Sequence, residues 1–196
     1  MREIILASTS PRRAELLRQI GLNFSIMPSD IEESIDATLP PEEFASRLAW
    51  DKAMNIAEKI ASSSQKGALV IGADTIVVKD GILGKPLNDA DAFQMIKSME
   101  GNWHQVITGV TVIDSTDLKG IRSFEETRVK MRPLSDVEIN AYIKTGESTD
   151  KAGAYGIQGM GAVLVEKIEG CYFNVVGLPL TRLSQILNQF EVKVLV

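Results

Sequence analysis

The eleven-residue run ALVIGADTIVV, from Ala68 to Val78, leaves the chain little freedom in how it folds. It is apolar and rich in β-branched residues, which marks a buried strand. Asp74 stands inside it, and a carboxylate there is costly to desolvate unless it meets a cation, a metal or hydrogen-bond donors. Gly72, two residues earlier, permits a bend or a close approach by a ligand. A strand-end aspartate capping a nearby loop is the plainer alternative, but the apolar flanks on both sides favour a functional carboxylate.

The surrounding pattern alternates strands with helices. A strand is expected near residues 3–7 and a helix over 11–20, with Leu16, Leu17 and Ile20 on one face. A second strand, NFSIMP, covers about 23–28 and leads into the acidic segment SDIEESIDA. Pro40 and Pro41 open a long helix to about Ser62, burying Phe44, Leu48, Ala49 and Ala53. After the central strand, Lys79-Asp80-Gly81 turns into ILGKP, and Asp89 caps a helix to about Met99. Strands are expected over 103–113 and 121–132. Ser135 and Glu138 have capping-box spacing for a helix over 136–144. Strands near 162–168 and 171–176 and a helix after Pro179 complete the reading. This interleaving is α/β architecture, with a mixed rather than purely parallel sheet.

The segment ASTSPRR, residues 7–13, joins the first strand to the first helix. Ser10 reads as the N-cap and Pro11 as the first helical residue. Arg12 and Arg13 then fall at the positive end of the helix dipole, where cations are disfavoured. Free N–H groups, serine hydroxyls and two guanidinium groups converge there, an arrangement suited to phosphate oxygens. A solvated basic first turn is the alternative.

Composition decides what kind of anion site is admissible. The 196 residues carry a net charge of −5, which argues against a broad nucleic-acid footprint, so positive charge must be local. Lys52 and Lys85 are candidate cations, although Lys52 alone would read as a solvated helix lysine. The Gly84-Lys85 pair is not a P-loop, because GxxxxGK[ST] is absent. Glu32 and Glu33, with Asp30 and Asp36 nearby, are either solvated or partners of Asp74 around a divalent cation. One cysteine, Cys171, and one histidine, His104, exclude an intrachain disulfide and Cys- or His-rich metal centres. The N-terminal residues MREIILAS lack a signal-peptide core and no run approaches a membrane span, so the expected location is cytoplasmic, without a membrane partner.

The glycine-rich DKAGAYGIQG, residues 150–159, can approach a flat ligand, with Gln158 offering a donor and an acceptor to a base edge. A tight loop whose glycines serve turn geometry is the alternative. Trp50, Trp103 and Tyr155 read as core or edge aromatics.

In order along the chain, LASTSPRR, GADT, GKP, ITGV, DKAGAYGIQG and VVGLP resemble the Maf family of nucleoside triphosphate pyrophosphatases, in particular the branch acting on dTTP and UTP. The resemblance implies a single domain over 1–196. Its fold would be similar to inosine triphosphatase-like proteins: an elongated mixed sheet with flanking helices in two lobes around a cleft. It implies hydrolysis of a nucleoside triphosphate to the monophosphate and pyrophosphate, with Mg or Mn as divalent metal. By that resemblance Asp74 is the proton acceptor. Ser8, Arg12, Arg13, Lys52 and Lys85 hold the triphosphate, and Glu33 assists with metal or water. Arg12, Thr75 and Gln158 occupy positions that set substrate preference. A homodimer is also implied. Two other functions stay open: a pyrophosphatase for modified or purine nucleotides, and a non-catalytic nucleotide-binding regulator of cell division.

Overall fold

The long central run does form one long strand, and its neighbours are unequal in length. In the computed structural model, which describes residues 2–31, 38–63 and 67–195, β1 (Glu3–Leu6) has four residues. It is followed by α1 (Pro11–Gln19), β2 (Ser25–Ile26), α2 (Pro41–Ala61), β3 (Ala68–Val78), β4 (Ile82–Leu83) and α3 (Asp89–Met99). Next come β5 (Trp103–Asp114), β6 (Gly120–Met131), α4 (Asp136–Ile143), β7 (Val165–Glu169), α5 (Tyr172–Val176) and α6 (Leu180–Gln189). The seven strands form one mixed sheet, ordered β2-β1-β3-β5-β6-β7, with β4 also on β3. β2, β1 and β3 are parallel, whereas β5, β6, β7 and β4 join by antiparallel pairing.

This inequality creates the site. β1 pairs with β3 only over Ala68–Ile71, and on the same strand β4 pairs only with Val77 and Val78. Asp74 and Thr75 lie between these two pairings, while the other edge of β3 pairs with β5 throughout, Asp74 opposite Gly109 and Thr75 opposite Thr108.

Alternation along β3 sends neighbouring residues to opposite faces. Leu69, Ile71 and Ala73 pack with α1 and α6 residues such as Leu17 and Leu183. Ala68 and Val70 pack beneath Ala53, Ile56 and Ile60 of α2. A third cluster, containing Val77, Ile96, Met131, Ile139 and Tyr155, fills the other end of the long strands beneath α3 and α4.

α2 lies unusually close to the sheet. A Cβ on Gly72 would stand 2.2 Å from the carbonyl oxygen of Ala49, and one on Gly109 would stand 2.1 Å from that of Ala45. Ala45, Ala49 and Ala53 form an i, i+4 row on the helix face against these glycines. Gly72 is therefore required by the helix: the close approach is made by α2, not by a ligand.

Several expectations change. Where a strand is expected near 171–176, Tyr172–Val176 form helix α5, preceded by Gly170 (φ 127°) and Cys171 and closed by Gly177 (φ 123°). Aromatic and β-branched propensity is overridden by the burial of Asn174 and Val176. Residues 159–164 form a 3-10 turn, so the strand begins only at Val165. Asn88, not Asp89, caps α3, accepting from the Asp91 N–H at 3.0 Å. Among the described residues no helix is long and apolar enough to cross a membrane.

Candidate active site

Because α2 sits so close to β3, the fourth position beyond Leu48 in the helix reaches the strand acid. Lys52 Nζ donates to Asp74 Oδ1 at 2.5 Å, and the two residues are only 9% and 7% exposed. Of the two readings of Lys52, the plain one of a solvated helix lysine is excluded, because the residue is buried against Asp74. Burying such a pair is costly unless its geometry and hydrogen bonding are good.

On the opposite face of β3, Thr75 meets α1. Arg13 Nη2 donates to Thr75 Oγ1 at 3.1 Å, its Nη1 to Ser8 Oγ at 3.2 Å, and its Nε to the Gly177 carbonyl at 2.8 Å. Ser8 Oγ also accepts from the Ser10 N–H at 3.2 Å. Ser10 and Pro11 start α1 as expected, but no side chain caps this helix. Arg12 turns the other way, donating to Asp150 Oδ2 at 3.2 Å. Burial pushes the Asp150 carboxyl up, but Lys151 and Arg12 more than offset it and hold it below its ordinary range.

These residues line one cleft of about 400 Å³. Ser8, Arg12, Arg13, Lys52, Asp74, Thr75, Lys85 and Gln158 are all among its lining residues. Of the residues singled out from sequence, eight are therefore brought together, and Glu33 lies outside the described residues. Gln158 follows a segment anchored from below. Tyr155 is 5% exposed, and its hydroxyl lies 2.6 Å from His104 Nε2, while the Tyr142 hydroxyl accepts from the Gly156 N–H at 3.2 Å. Burial, and then the charge of Lys79, lower the pKa of His104 to about 4, and burial pushes the Tyr155 hydroxyl up. The pair is thus neutral at physiological pH.

Sequence reasoning gave no role to Asp150, Thr108 or the Gly177 carbonyl, which contact Arg12, Thr75 and Arg13, or to Asn174, whose carbonyl accepts from Thr108. Each is an ordinary residue in a local window. They meet only in the folded chain, where Asp150 and Gly177 reach the arginines of α1 and Thr108 joins Thr75 to Asn174.

The donor set bears on metal. Among the described residues no group of three or more His, Cys, Asp or Glu side chains is placed to hold an ion. Asp74 and Asp150 are the carboxylates on the described cleft wall. One or two carboxylates suit a hard cation that takes its remaining oxygen ligands from water and substrate phosphates.

The model for the Maf-like protein family matches residues 3–190. A protein named dTTP/UTP pyrophosphatase from Acetivibrio thermocellus is 54% identical over 197 residues, covering 100% of this chain and 98% of that protein. One of the same name from Caldicellulosiruptor saccharolyticus is 50% identical over 190 residues, covering 96% and 95%. Among solved structures, a HAM1 protein from Coxiella burnetii aligns with 84% of this chain and 81% of its own, at 14% identity and a TM-score of 0.49. A family match over nearly all of the sequence, carried by relatives of the same length, makes this chain a member of the Maf-like protein family.

Proposed function

We propose that the protein hydrolyses nucleoside triphosphates, dTTP and UTP in preference, to the monophosphate and pyrophosphate. The observation that carries this reading is a buried Lys52–Asp74 pair lining the same cleft as the two arginines at the start of α1. The names of the full-length relatives supply the substrate class.

A triphosphate in the cleft would reverse the electrostatic conflict at α1, since its charge satisfies the helix dipole, Arg12 and Arg13 together. Water attacks the α-phosphorus, the bond from that phosphorus to the bridging oxygen breaks, and pyrophosphate leaves. Asp74 accepts the proton of the attacking water. Lys52 holds the carboxylate in place and, with Lys85, offsets the charge growing on the phosphoryl oxygens, so catalysis is mainly positioning and electrostatics. Asp74, joined by Glu33, would hold a Mg or Mn ion together with the phosphates, and that ion would supply further charge neutralisation. Gln158, which lines the same cleft, would read the base edge together with Arg12 and Thr75. We read residues 1–196 as one domain whose two lobes flank this cleft.

The test is pyrophosphate release from dTTP, UTP, CTP and GTP, with and without added Mg²⁺ or Mn²⁺. The pyrimidine substrates dTTP and UTP should lead, and Asp74→Asn should lower kcat by about a hundredfold or more, the usual worth of a positioned base. A folded Asp74→Asn variant with wild-type turnover would remove Asp74 from the chemistry. Binding of all four nucleotides without turnover would replace the enzyme by a binding protein.

A further inference from the structure

We propose that Thr108 and Asn174 are positioning residues that orient Arg13 through a one-way chain of hydrogen bonds; this rests on reading the cleft as a triphosphate site. Thr108 Oγ1 lies 2.9 Å from Thr75 Oγ1 and 2.9 Å from the Asn174 carbonyl oxygen. A carbonyl only accepts, so the single hydroxyl proton of Thr108 points to Asn174. Thr75 must then donate to Thr108. Arg13, which has no acceptor, donates into Thr75. The donor sense therefore runs Arg13 to Thr75 to Thr108 to Asn174, and is fixed by valence alone.

The chain is anchored at its inner end. Thr108 and Asn174 are fully buried. Asn174 Nδ2 donates to the Val106 carbonyl at 2.9 Å and to Thr127 Oγ1 at 3.0 Å. Flipping the amide would set oxygen against the Val106 carbonyl, so its orientation is determined. The main chain then closes a ring, because the Gly177 N–H donates to the Asn174 carbonyl at 3.0 Å and the Gly177 carbonyl accepts from Arg13 Nε. The segment from Asn174 to Gly177 thus meets the guanidinium directly at Nε and, through Thr108 and Thr75, at Nη2.

Two consequences follow for the reaction. Arg13 is held in one orientation before any ligand arrives, which lowers the ordering cost of binding. Thr75 has spent its only proton inward, so it meets a ligand solely as an acceptor and is no donor to phosphate oxygens. Its influence on phosphate passes through Arg13.

The experiment measures tripolyphosphate affinity by calorimetry and UTP turnover for wild type, Thr108→Val, Thr108→Ser, Arg13→Ala and the Arg13→Ala/Thr108→Val pair. Thr108→Val keeps the shape and removes the hydroxyl. It should weaken tripolyphosphate binding about fivefold to tenfold, the worth of one buried hydrogen bond. Thr108→Ser should stay within about twofold of wild type, since it restores that bond. On the Arg13→Ala background, Thr108→Val should add nothing, because coupled residues are non-additive. Wild-type affinity and turnover in Thr108→Val, equal damage from Thr108→Ser, or full additivity with Arg13→Ala would overturn the chain. A wild type that neither binds tripolyphosphate nor turns over UTP would instead overturn the reading of the cleft, and the proposal with it.

Discussion

Two helices in this protein begin with serine, and they use it in opposite ways. At α4, Ser135 Oγ accepts from the Glu138 N–H at 3.3 Å while Glu138 Oε2 accepts from the Ser135 N–H at 2.8 Å, closing a capping box. Asp136 and Glu138 place negative charge in the first turn, and Arg132 Nη2 donates to Glu138 Oε1 at 2.7 Å. At α1, Ser10 makes no side-chain cap and the first turn holds no acid, only Arg12 and Arg13. The α4 terminus is answered by its own residues; the α1 terminus faces a cleft and waits for charge from outside. A helix start that breaks its own electrostatic rules is informative when the polar groups around it converge on a cavity, as here.

The contrast breaks most sharply if the arginines are removed. Replacing both Arg12 and Arg13 by Ala should lower kcat/KM for UTP by about a hundredfold, the loss of one or two charge-assisted bonds to phosphate. Turnover within about threefold of wild type would make the α1 terminus an ordinary solvated turn. The corresponding change at α4 should act on stability alone. Ser135→Ala should cost about 1 kcal/mol, seen as a lower urea midpoint at unchanged m-value, with UTP turnover intact.

A pH titration sharpens the same contrast. Backbone donation from Ser135, and then Arg132, lowers the Glu138 carboxyl from 4.5 to about 2. A depressed folded-state pKa means that its stabilisation is complete above about 4.5 and is lost as pH falls toward 2. Glu138→Gln should therefore flatten the acid limb of urea stability in that window. An unchanged acid limb would show that the box carries no charge-dependent stabilisation.

Local chemistry explains which parts of this were legible in the sequence. Pro11 and Pro41 begin their helices as expected, and the Ser135–Glu138 spacing gives a real capping box, because caps are settled within a few residues. Asp74 could be singled out because an acid in an apolar run contradicts its neighbours. Its pairing with Lys52 could not. Lys52 looks like any helix lysine until Gly72 and Gly109 let α2 drop onto the sheet, and that contact joins three separate segments. Helix α5 was hidden for the same reason. Tyr172–Val176 has strand-like residues, and the amide of Asn174 bonding to Val106 and Thr127 is a tertiary feature. The resemblance supplied the substrate; residue chemistry alone reached only an anion site beside a buried acid.

The smallest predicted effect concerns how far the α1 terminus is already answered from within. Asp150 is 58% exposed at its side chain and meets both Arg12, at 3.2 Å, and Lys151, at 2.7 Å. An exposed pair of this kind contributes little, so Asp150→Asn should change stability by less than about 0.5 kcal/mol. Arg12 uses a single N–H on Asp150, which leaves the main effect of that carboxylate as repulsion of a polyphosphate entering the cleft. KM for UTP should therefore fall about twofold at low ionic strength, and the gain should fade as salt screens it. A higher KM in Asp150→Asn would give the carboxylate the opposite role, that of holding Arg12 in its binding orientation. The α1 terminus would then be pre-satisfied much as α4 is, and the difference between the two helix starts would lie in which neighbour supplies the charge rather than in whether any does.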